Sequence, residues 1–316
     1  MTEPQMKKMR PNWKVSSILD GSLSEEPKSV RAVVATVREK KDLAQCMQEI
    51  SRVLPVPEFA HLKRIRGCDV ILSSTDGFPE FTDEVNVGAY LEEKGLSGTL
   101  VEKLSEIRQE NVPKNAPVLR WQFEMASKCW PCKFHPDKYL ESLYNNQIFS
   151  SQQINFHISI MEMCLKLSDK HKNPTIVVDP RDSKIVTVAW SQVDMHPLQH
   201  SAMVAVDNVA RSQEGGAWET EDVSQVLESI REGLKGLSCD GGSCGNLDKY
   251  GPYLCTGYDV YLLEEPCLMC SMALVHSRVR RVFFQRQSPE TGALMSIVQL
   301  HTVKELNHHY QVFRID

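Results

Sequence analysis

The sequence lacks the features that mark membrane and exported proteins. No run of 18 apolar residues occurs in its 316 residues, and the first eleven residues are polar. A membrane-spanning helix needs about 20 mostly apolar residues, and a secretory signal needs an apolar core near the N-terminus. We therefore expect neither a membrane-spanning helix nor export. The ten cysteines then indicate a reducing compartment, in which some of the thiols bind metal.

The sequence also lacks an excess of positive charge. Its net charge is -5, whereas a protein that binds nucleic acid through bulk charge is usually strongly basic. The first 150 residues carry 21 Lys and Arg against 21 Asp and Glu, so the acidic surplus lies after residue 150. Any contact with RNA must therefore come from local patches of cations.

Two cysteines separated by two residues carry the clearest chemical signal. Cys267 and Cys270 follow Pro266 and precede the apolar residues of a predicted helix. Proline is favoured in the first turn of a helix, and the positive end of the helix dipole favours the thiolates that bind metal. His200, which opens another apolar helical pattern, is the best third ligand. One histidine and two cysteines leave the fourth zinc position open, as in catalytic zinc sites.

These three residues resemble the zinc ligands of the cytidine and tRNA-adenosine deaminase superfamily. The family signature is H-x-E followed by P-C-x-x-C, with zinc-bound water as nucleophile and the Glu as proton shuttle. The resemblance implies one zinc ion held by His200, Cys267 and Cys270. The residue two positions after His200 is Ala202 and not Glu. A methyl group carries no proton, so we expect no catalytic residue and no deaminase activity of the chain alone.

The resemblance extends over residues 150–316. A helix, a β-hairpin, a helix, a strand, a helix and a strand follow one another in the order of the deaminase fold. Ser150 and Gln153 form a plausible capping box at the first helix. The resemblance implies an α/β domain of three layers with a mixed five-stranded sheet, and residues 211–257 are an insertion in it.

Within this superfamily the chain most resembles the non-catalytic subunits of heterodimeric tRNA adenosine deaminases. The residues from Glu264 to Cys270 match the E-P-C-x-M-C form of tRNA deaminases, and Leu306 to His308 match their L-N-H segment. An additional N-terminal domain, the missing Glu and the long insertion agree with those subunits. The resemblance implies a subunit that binds tRNA and supports a catalytic partner, which converts adenosine to inosine at wobble position 34.

The segment before residue 150 is organised differently. We predict a flexible N-terminus over residues 1–28, a smaller α+β domain that binds tRNA over residues 29–118, and a connector over residues 119–149. Strand patterns at 30–37 and 68–72 flank a helix pattern at 42–53. Residues 84–111 are expected to hold one or two amphipathic helices.

Four cations of this segment are candidates for RNA binding. Lys63, Arg64 and Arg66 alternate with apolar residues, and we predict that they contact phosphate groups. Alternatively, they form the solvated edge of a strand. Lys133 lies beside Trp130 and Phe134, and these aromatic rings either stack on an unpaired base or form an apolar plug between domains.

The remaining cysteines give weaker signals. Cys129 and Cys132 could be a redox pair or half of a metal site, or ordinary thiols, since no second pair with suitable spacing lies nearby. Cys239, Cys244 and Cys255 could bind a second metal, or could be incidental thiols of a glycine-rich loop.

Two other functions remain open at this point. The chain could be an active nucleoside or nucleotide deaminase that uses an unrecognised base, which Ala202 argues against. It could also be a zinc-stapled scaffold unrelated to RNA. The absence of targeting signals predicts a location in nucleus and cytoplasm.

Overall fold

The computed structural model describes residues 13–78, 87–219, 221–238 and 253–316. Their contacts divide the chain into two compact units. The first consists of residues 13–20 with residues 142–316, and we call it the zinc-ligand unit. The second consists of residues 21–141, and we call it the N-terminal unit. Among the described residues, no helix is both long and apolar enough to cross a membrane.

The zinc-ligand unit contains six strands and four helices in its described part. They are β1 (Val15–Ile18), α6 (Ser151–Ser168), β6 (Thr175–Asp179), β7 (Lys184–Ala189), α7 (Ser201–Arg211), α8 (Ser224–Gly233), β8 (Asp259–Glu264), α9 (Leu268–His276), β9 (Arg281–Arg286) and β10 (Gln311–Ile315). The N-terminal unit contains β2 (Ser29–Val37), α1 (Leu43–Val53), β3 (Ile65–Arg66), β4 (Asp69–Ser74), α2 (Val87–Glu93), α3 (Gly98–Val101), β5 (Leu104–Pro113) and α4 (Arg120–Cys129). Helix α5 (Lys138–Tyr144) crosses the boundary between the two ranges.

The sheet of the zinc-ligand unit has six strands in the order β1-β10-β9-β8-β6-β7. Strands β8, β9 and β10 are parallel to one another, and the other pairings are antiparallel. The prediction of a mixed α/β sheet is therefore confirmed, but the predicted number of five strands is wrong. The sixth strand is β1, which lies in the segment predicted to be flexible.

Strand β1 escaped prediction because four residues are too few to show an alternating pattern. Val15 pairs with Ile315, and the backbone N–H of Lys14 donates to the carbonyl of Asp316 at 2.7 Å. The stability of β1 therefore comes from its partner β10, some 300 residues away in the sequence, and not from its own composition.

Helices cover both faces of this sheet, which confirms the three layers. Val260 and Leu262 of β8 pack with residues of α7 and α9 on one face. Tyr261, between them, packs with residues of α6 and α8 on the other face. Successive side chains of a strand point to opposite faces, so a strand that is buried on both faces needs an uninterrupted apolar run.

The predicted capping box is present, since the Gln153 N–H donates to Ser150 Oγ at 3.3 Å.

The N-terminal unit has a four-stranded antiparallel sheet in the order β3-β4-β2-β5. Val33, Ala35 and Val37 of β2 pack on one face against α1, α2 and α3. Ala32 and Val34 pack on the other face against Phe59, Ala126 of α4 and Trp130, which follows that helix. The boundaries differ from the prediction of 29–118, because Leu119 and Ala126 of the expected connector are buried, and the connector contains α4 and α5.

The prediction of helix over residues 84–111 is wrong at its C-terminal end, where β5 lies. Val34 pairs with Arg108 and Thr36 with Ser105, so β5 has one residue more than β2 between these pairs. Glu106 takes a left-handed conformation with φ 46° at this bulge. Because of the extra residue, Leu104 and Ile107 pack into the same core although they are three residues apart. This spacing is typical of a helix, which explains the wrong prediction.

Candidate functional site

Two helix starts place the three predicted zinc ligands. His200 is the N-cap residue of α7, and Cys267 is the N-cap residue of α9. Cys270 lies in the first turn of α9, where it is 3% exposed. Pro266 lies one residue before the N-cap, and not in the first turn as predicted. Helix α9 begins beside the C-terminal end of β8, because Glu264 ends that strand three residues before Cys267. The start of α7 lies next to it, since His200 Nδ1 is 3.7 Å from Cys267 Sγ.

The ligand atoms of His200, Cys267 and Cys270 all lie within 4.8 Å of one another. His200 Nδ1 lies 3.7 Å from Cys267 Sγ. In a tetrahedral zinc site, bond lengths of about 2.0–2.3 Å separate neighbouring ligand atoms by about 3.5–3.8 Å. The three residues therefore fit a zinc ion, and they are the only such group of His, Cys, Asp and Glu in the described part of the chain.

A hydrogen bond between the thiols of Cys267 and Cys270 favours the thiolate form of Cys267. A hydrogen bond with the Cys270 thiol lowers the pKa of Cys267 to about 5, and backbone N–H groups at the start of α9 act in the same direction. The same thiol pair raises the pKa of Cys270. The N–H groups at a helix start favour negative charge on the sulfur atoms. The site is therefore suited to a metal cation, whose binding releases the proton of the Cys270 thiol.

Ala202 lies in the first turn of α7 and is 2% exposed. It lines the cleft above the ligands together with Asn173, Ser191 and Thr291. The side chain that would carry a proton in an H-x-E motif is therefore a methyl group. Two carboxylates, Glu264 and Glu265, also line this cleft.

Glu265 holds a loop and does not replace the shuttle. Its Oε1 accepts hydrogen bonds from the backbone N–H groups of Leu294, Met295 and Ser296 at 2.9, 2.6 and 2.9 Å. Burial alone would raise the pKa of Glu265, but the hydrogen bonds from Ser296, Leu294 and Ser288 outweigh it and hold this pKa below its usual value. Glu265 is therefore an anionic anchor for residues 288–296 and does not exchange protons near neutral pH.

The other nearby carboxylates are also engaged. Glu264 Oε2 accepts a hydrogen bond from Asn173 Nδ2 at 2.8 Å. Asp207 lies two turns along α7, and its carboxylate accepts hydrogen bonds from the backbone N–H groups of Ala217 and Trp218 at 2.6 and 3.3 Å. Asp207 thus organises the start of the 211–257 insertion and does not serve the cleft.

Arg64 points into the N-terminal unit. Its Nε donates to the carbonyl of Ile71 at 2.9 Å, and its Nη2 donates to the carbonyls of Leu54 and Leu72. Burial lowers the pKa of Arg64. A guanidinium that binds three backbone carbonyls stabilises the fold, which speaks against a phosphate contact at Arg64.

Arg66 also serves the fold. Its guanidinium forms ion pairs with Asp69 at 3.0 Å and Glu110 at 2.5 Å and lies over the ring of Trp130, 4.4 Å from the centroid. Arg108 donates to the same two carboxylates. Two arginines and two acids balance in charge, so this network attracts phosphate much less than two unpaired arginines would.

Lys63 and Lys133 are the predicted cations that face solvent. Leu62 and Cys132 form an isolated antiparallel bridge, on either side of which the N–H of Lys63 donates to Pro131 and the N–H of Lys133 donates to His61. Both lysine side chains are exposed. Within the described residues no partner engages the ammonium of Lys63, and Lys133 Nζ donates to the carbonyl of Ala60 at 2.9 Å. These two lysines keep donors available for a ligand.

The aromatic residues beside Lys133 are packed. Trp130 is fully buried, and its Nε1 donates to the carbonyl of Lys63 at 2.6 Å. Phe134 stacks on Phe123 with ring centroids 4.8 Å apart. Trp130 therefore belongs to the core of the N-terminal unit, and the prediction of base stacking is contradicted for this ring.

The remaining cysteines do not form a second metal cluster in the described part of the chain. Cys129 is exposed, whereas Cys132 is buried and its Sγ donates to the carbonyl of Trp130 at 3.3 Å. Cys255 is buried in the core, and burial raises its pKa to about 12. Cys239 and Cys244 lie outside the described residues.

The fold and the ligand set define the class of this protein, and comparison with known proteins agrees. The family model described as the cytidine and deoxycytidylate deaminase zinc-binding region matches residues 154–286. The zinc-ligand unit is thus a deaminase-like domain that lacks the proton shuttle.

Full-length relatives narrow the assignment. A probable inactive tRNA-specific adenosine deaminase-like protein 3 from Danio rerio is 32% identical over 99% of this chain and 96% of its own length. The human protein of that name is 31% identical over 96% of this chain and 89% of its own length. The tRNA-specific adenosine deaminase subunit TAD3 of Saccharomyces cerevisiae is 29% identical over 80% of this chain and 73% of its own length. The chain belongs to this family of tRNA-specific adenosine deaminase-like proteins 3, as the sequence resemblance predicted.

Proposed function

We propose that this chain is the non-catalytic, zinc-binding subunit of a heterodimeric tRNA adenosine deaminase that forms inosine at wobble position 34. The observation that carries the proposal is Ala202, which is buried beside the ligands where the reaction needs a proton carrier. Deamination requires a side chain that moves a proton from the nucleophilic water to the base and the leaving ammonia. The carboxylates of Glu264, Glu265 and Asp207 each accept hydrogen bonds from other groups of the protein, which disfavours an active deaminase with a substitute base.

One zinc ion per chain is held by His200, Cys267 and Cys270. In deaminases such an ion activates water for attack on the base. In this chain its consequence is structural, because the ligands belong to the starts of α7 and α9, and both helices pack on one face of the sheet. Binding energy at such a site adds to folding energy.

The catalytic partner binds at the apolar rim of the zinc site. Leu198 precedes His200 by two residues and is 48% exposed, while Leu268 follows Cys267 and is 55% exposed. Ile297 is 62% exposed in the segment after the Glu265 anchor, and its N–H donates to Gly292, which bridges to Cys267. Exposed apolar side chains that surround one site favour an interface with another protein.

The N-terminal unit supplies tRNA contacts through Lys63 and Lys133. Both are exposed, whereas Arg64 and Arg66 stabilise the fold. A deaminase domain that captures one flipped base has little surface left for the rest of a tRNA, so a second unit with available cations increases the contact area. A location in nucleus and cytoplasm remains part of the proposal.

The test compares the purified chain, a purified catalytic partner and the two together in an assay of inosine formation in tRNA. We expect no inosine from the chain alone and more from the pair than from the partner alone. Inosine formation by the homogeneous chain would refute the non-catalytic role. Equal rates for the partner with and without the chain would refute the role as a subunit.

A further inference from the structure

A second cleft of the zinc-ligand unit lies away from the zinc ligands. Its described lining includes Tyr253, His276, Arg278, Asn307 and His308, and it spans about 670 Å3 including its open mouth. Helix α9 has nine residues, so its two ends are roughly 13 Å apart. Cys267 stands at the N-terminal end of this helix, and His276 ends it. The two clefts therefore occupy opposite ends of α9.

The lining of this cleft is unusual for an acidic protein. It holds one arginine and two histidines, and no Asp or Glu is among the described residues that line it. The chain has a net charge of -5, and the acidic surplus lies after residue 150, in the same part of the sequence as this cleft. An arginine without acids beside it creates a local positive potential in such a background.

Arg278 occupies a backbone position that favours glycine. The N–H of Arg278 donates to the carbonyl of Val275 at 3.0 Å, and the N–H of Val279 donates to that of Leu274 at 3.3 Å. These bonds form a Schellman motif, whose C′ residue is usually glycine because it is left-handed. Arg278 adopts this conformation with φ 59°. A residue with a side chain adopts this conformation at a small energetic cost that glycine would avoid.

The partners of Arg278 suit a nucleotide. Its guanidinium lies 5.9 Å from the ring centroid of Tyr253, which is 59% exposed. His308 Nε2 lies 2.7 Å from the carbonyl oxygen of Val279. A carbonyl can only accept a hydrogen bond, so Nε2 donates, and Nδ1 lies on the other side of the ring. Cations at a helix C-terminus also stabilise the helix dipole, but this effect requires neither the exposed Tyr253 nor His308, which come from other segments.

We propose that this cleft binds a phosphate group of RNA through Arg278, with His276 and His308 beside it, and that Tyr253 stacks on the adjacent base. Arginine binds phosphate oxygens through paired N–H groups. An exposed aromatic ring next to bound phosphate is typical of contacts with unpaired nucleotides. The choice of RNA as ligand rests on the proposed function, and the cleft itself adds a second contact region on the deaminase-like domain.

The experiment measures binding of a fluorescent single-stranded RNA oligonucleotide to the full, zinc-loaded chain by anisotropy between 50 and 200 mM salt. Arg278→Gly removes the cation and suits the left-handed backbone, so its thermal stability should not fall. We expect several-fold weaker binding and a salt slope smaller by about 0.7, the value for one phosphate contact with a single strand. Arg278→Lys should retain part of the affinity.

Two further variants complete the design. Tyr253→Ala should weaken RNA binding at least about five-fold through lost stacking, and Tyr253→Phe should bind like the wild type. Lys235→Ala is the matched control, because it removes one exposed cation outside the cleft and should leave the binding unchanged.

Three results would overturn the inference in distinguishable ways. RNA affinity and salt slope of Arg278→Gly equal to those of Lys235→Ala would refute this cleft while leaving the proposed function intact. Binding of 5′-AMP that depends on Arg278, together with RNA binding that does not, would assign the cleft to a free nucleotide. Absence of RNA binding by the wild-type chain, alone and with its partner, would refute the tRNA contact of the proposed function as well.

Discussion

Gly292 lies directly against the carboxylate of Glu265. A Cβ atom added to Gly292 would stand 2.6 Å from Glu265 Oε1 and closer still to the carboxylate carbon. The same carboxylate binds the backbone of Leu294, Met295 and Ser296, and Gly292 itself bridges to Cys267. The small size of residue 292 therefore lets Glu265 anchor the loop that flanks the zinc ligands.

The first prediction concerns this contact. Gly292→Ala should displace the Glu265 carboxylate and leave backbone N–H groups of residues 294–296 unpaired, which lowers the free energy of unfolding by about 1–3 kcal/mol. Denaturant titration followed by circular dichroism measures the change. Gly21→Ala is the control, because a Cβ there meets nothing within 4 Å. Equal free energies of unfolding of the two variants would show that the Glu265 carboxylate can move without a loss of stability.

The second prediction concerns the metal. Cys267→Ala should weaken zinc binding more than about 100-fold, since one of three protein ligands is lost, and should lower the melting temperature of the zinc-ligand unit. Elemental analysis of the purified protein gives the zinc content, and calorimetry gives the melting temperature. Cys129→Ala changes an exposed thiol of the N-terminal unit and should alter neither. Unchanged zinc content in Cys267→Ala would refute the ligand set.

The third prediction separates the available cations from the structural ones. The double variant Lys63→Ala, Lys133→Ala should weaken tRNA binding and reduce the salt slope by roughly one unit per lost contact. Both side chains are exposed, so stability should remain unchanged. Lys40→Ala with Lys114→Ala removes two exposed charges elsewhere in the same unit and serves as the matched control. Equal tRNA affinities of the two double variants would exclude the proposed phosphate contacts.

Arg64→Ala should behave in the opposite way. It leaves the carbonyls of Leu54, Ile71 and Leu72 without their shared donor, so we expect a loss of stability of about 1–3 kcal/mol. At a temperature where this variant is folded, its salt slope for tRNA should equal that of the wild type. A smaller salt slope for tRNA binding by the folded variant would show that Arg64 contacts phosphate.

The fourth prediction concerns pH. Burial lowers the pKa of His157 to about 3, with Arg281 and Arg280 acting in the same direction. The folded state holds this ring neutral, so its contribution to stability is complete above the unfolded pKa of about 6.5 and is lost as the pH falls towards 3. At pH 5 the loss should reach about 2 kcal/mol, measured by denaturant titration at pH 7.5 and 5.

A variant isolates this contribution from proton binding by the zinc ligands. His157→Phe keeps an aromatic ring against Phe283, whose centroid lies 4.4 Å from that of His157. It loses the hydrogen bond between Nδ1 and the Tyr261 hydroxyl, whose atoms lie 2.6 Å apart, and should therefore be less stable than the wild type at pH 7.5. Between pH 7.5 and 5 it should nevertheless lose about 2 kcal/mol less than the wild type. An identical pH dependence would show that His157 does not titrate in this range.

Most elements of the zinc-ligand unit, and the cysteine pair of its site, could be predicted from the sequence. The pair Cys267 and Cys270 at a helix start is a local pattern, because ligand spacing and helix capping depend on residues a few positions apart. Strands such as β8 were visible for the same reason, since burial on both faces demands an uninterrupted apolar run. That His200 is the third ligand, and that Ala202 stands at the shuttle position, followed from the resemblance to the deaminases.

Contacts between groups that are distant in the sequence could not be predicted and are visible only in the folded chain. Strand β1 exists because β10 offers a free edge, and the bulge at Glu106 hides the alternation of β5. The sequence around Arg64 and Arg66 shows two cations but not the carbonyls and carboxylates that engage them. Long-range pairing decides whether a charge stabilises the fold or remains available to a ligand, because the partners of a long flexible side chain come from segments that the sequence pattern does not connect.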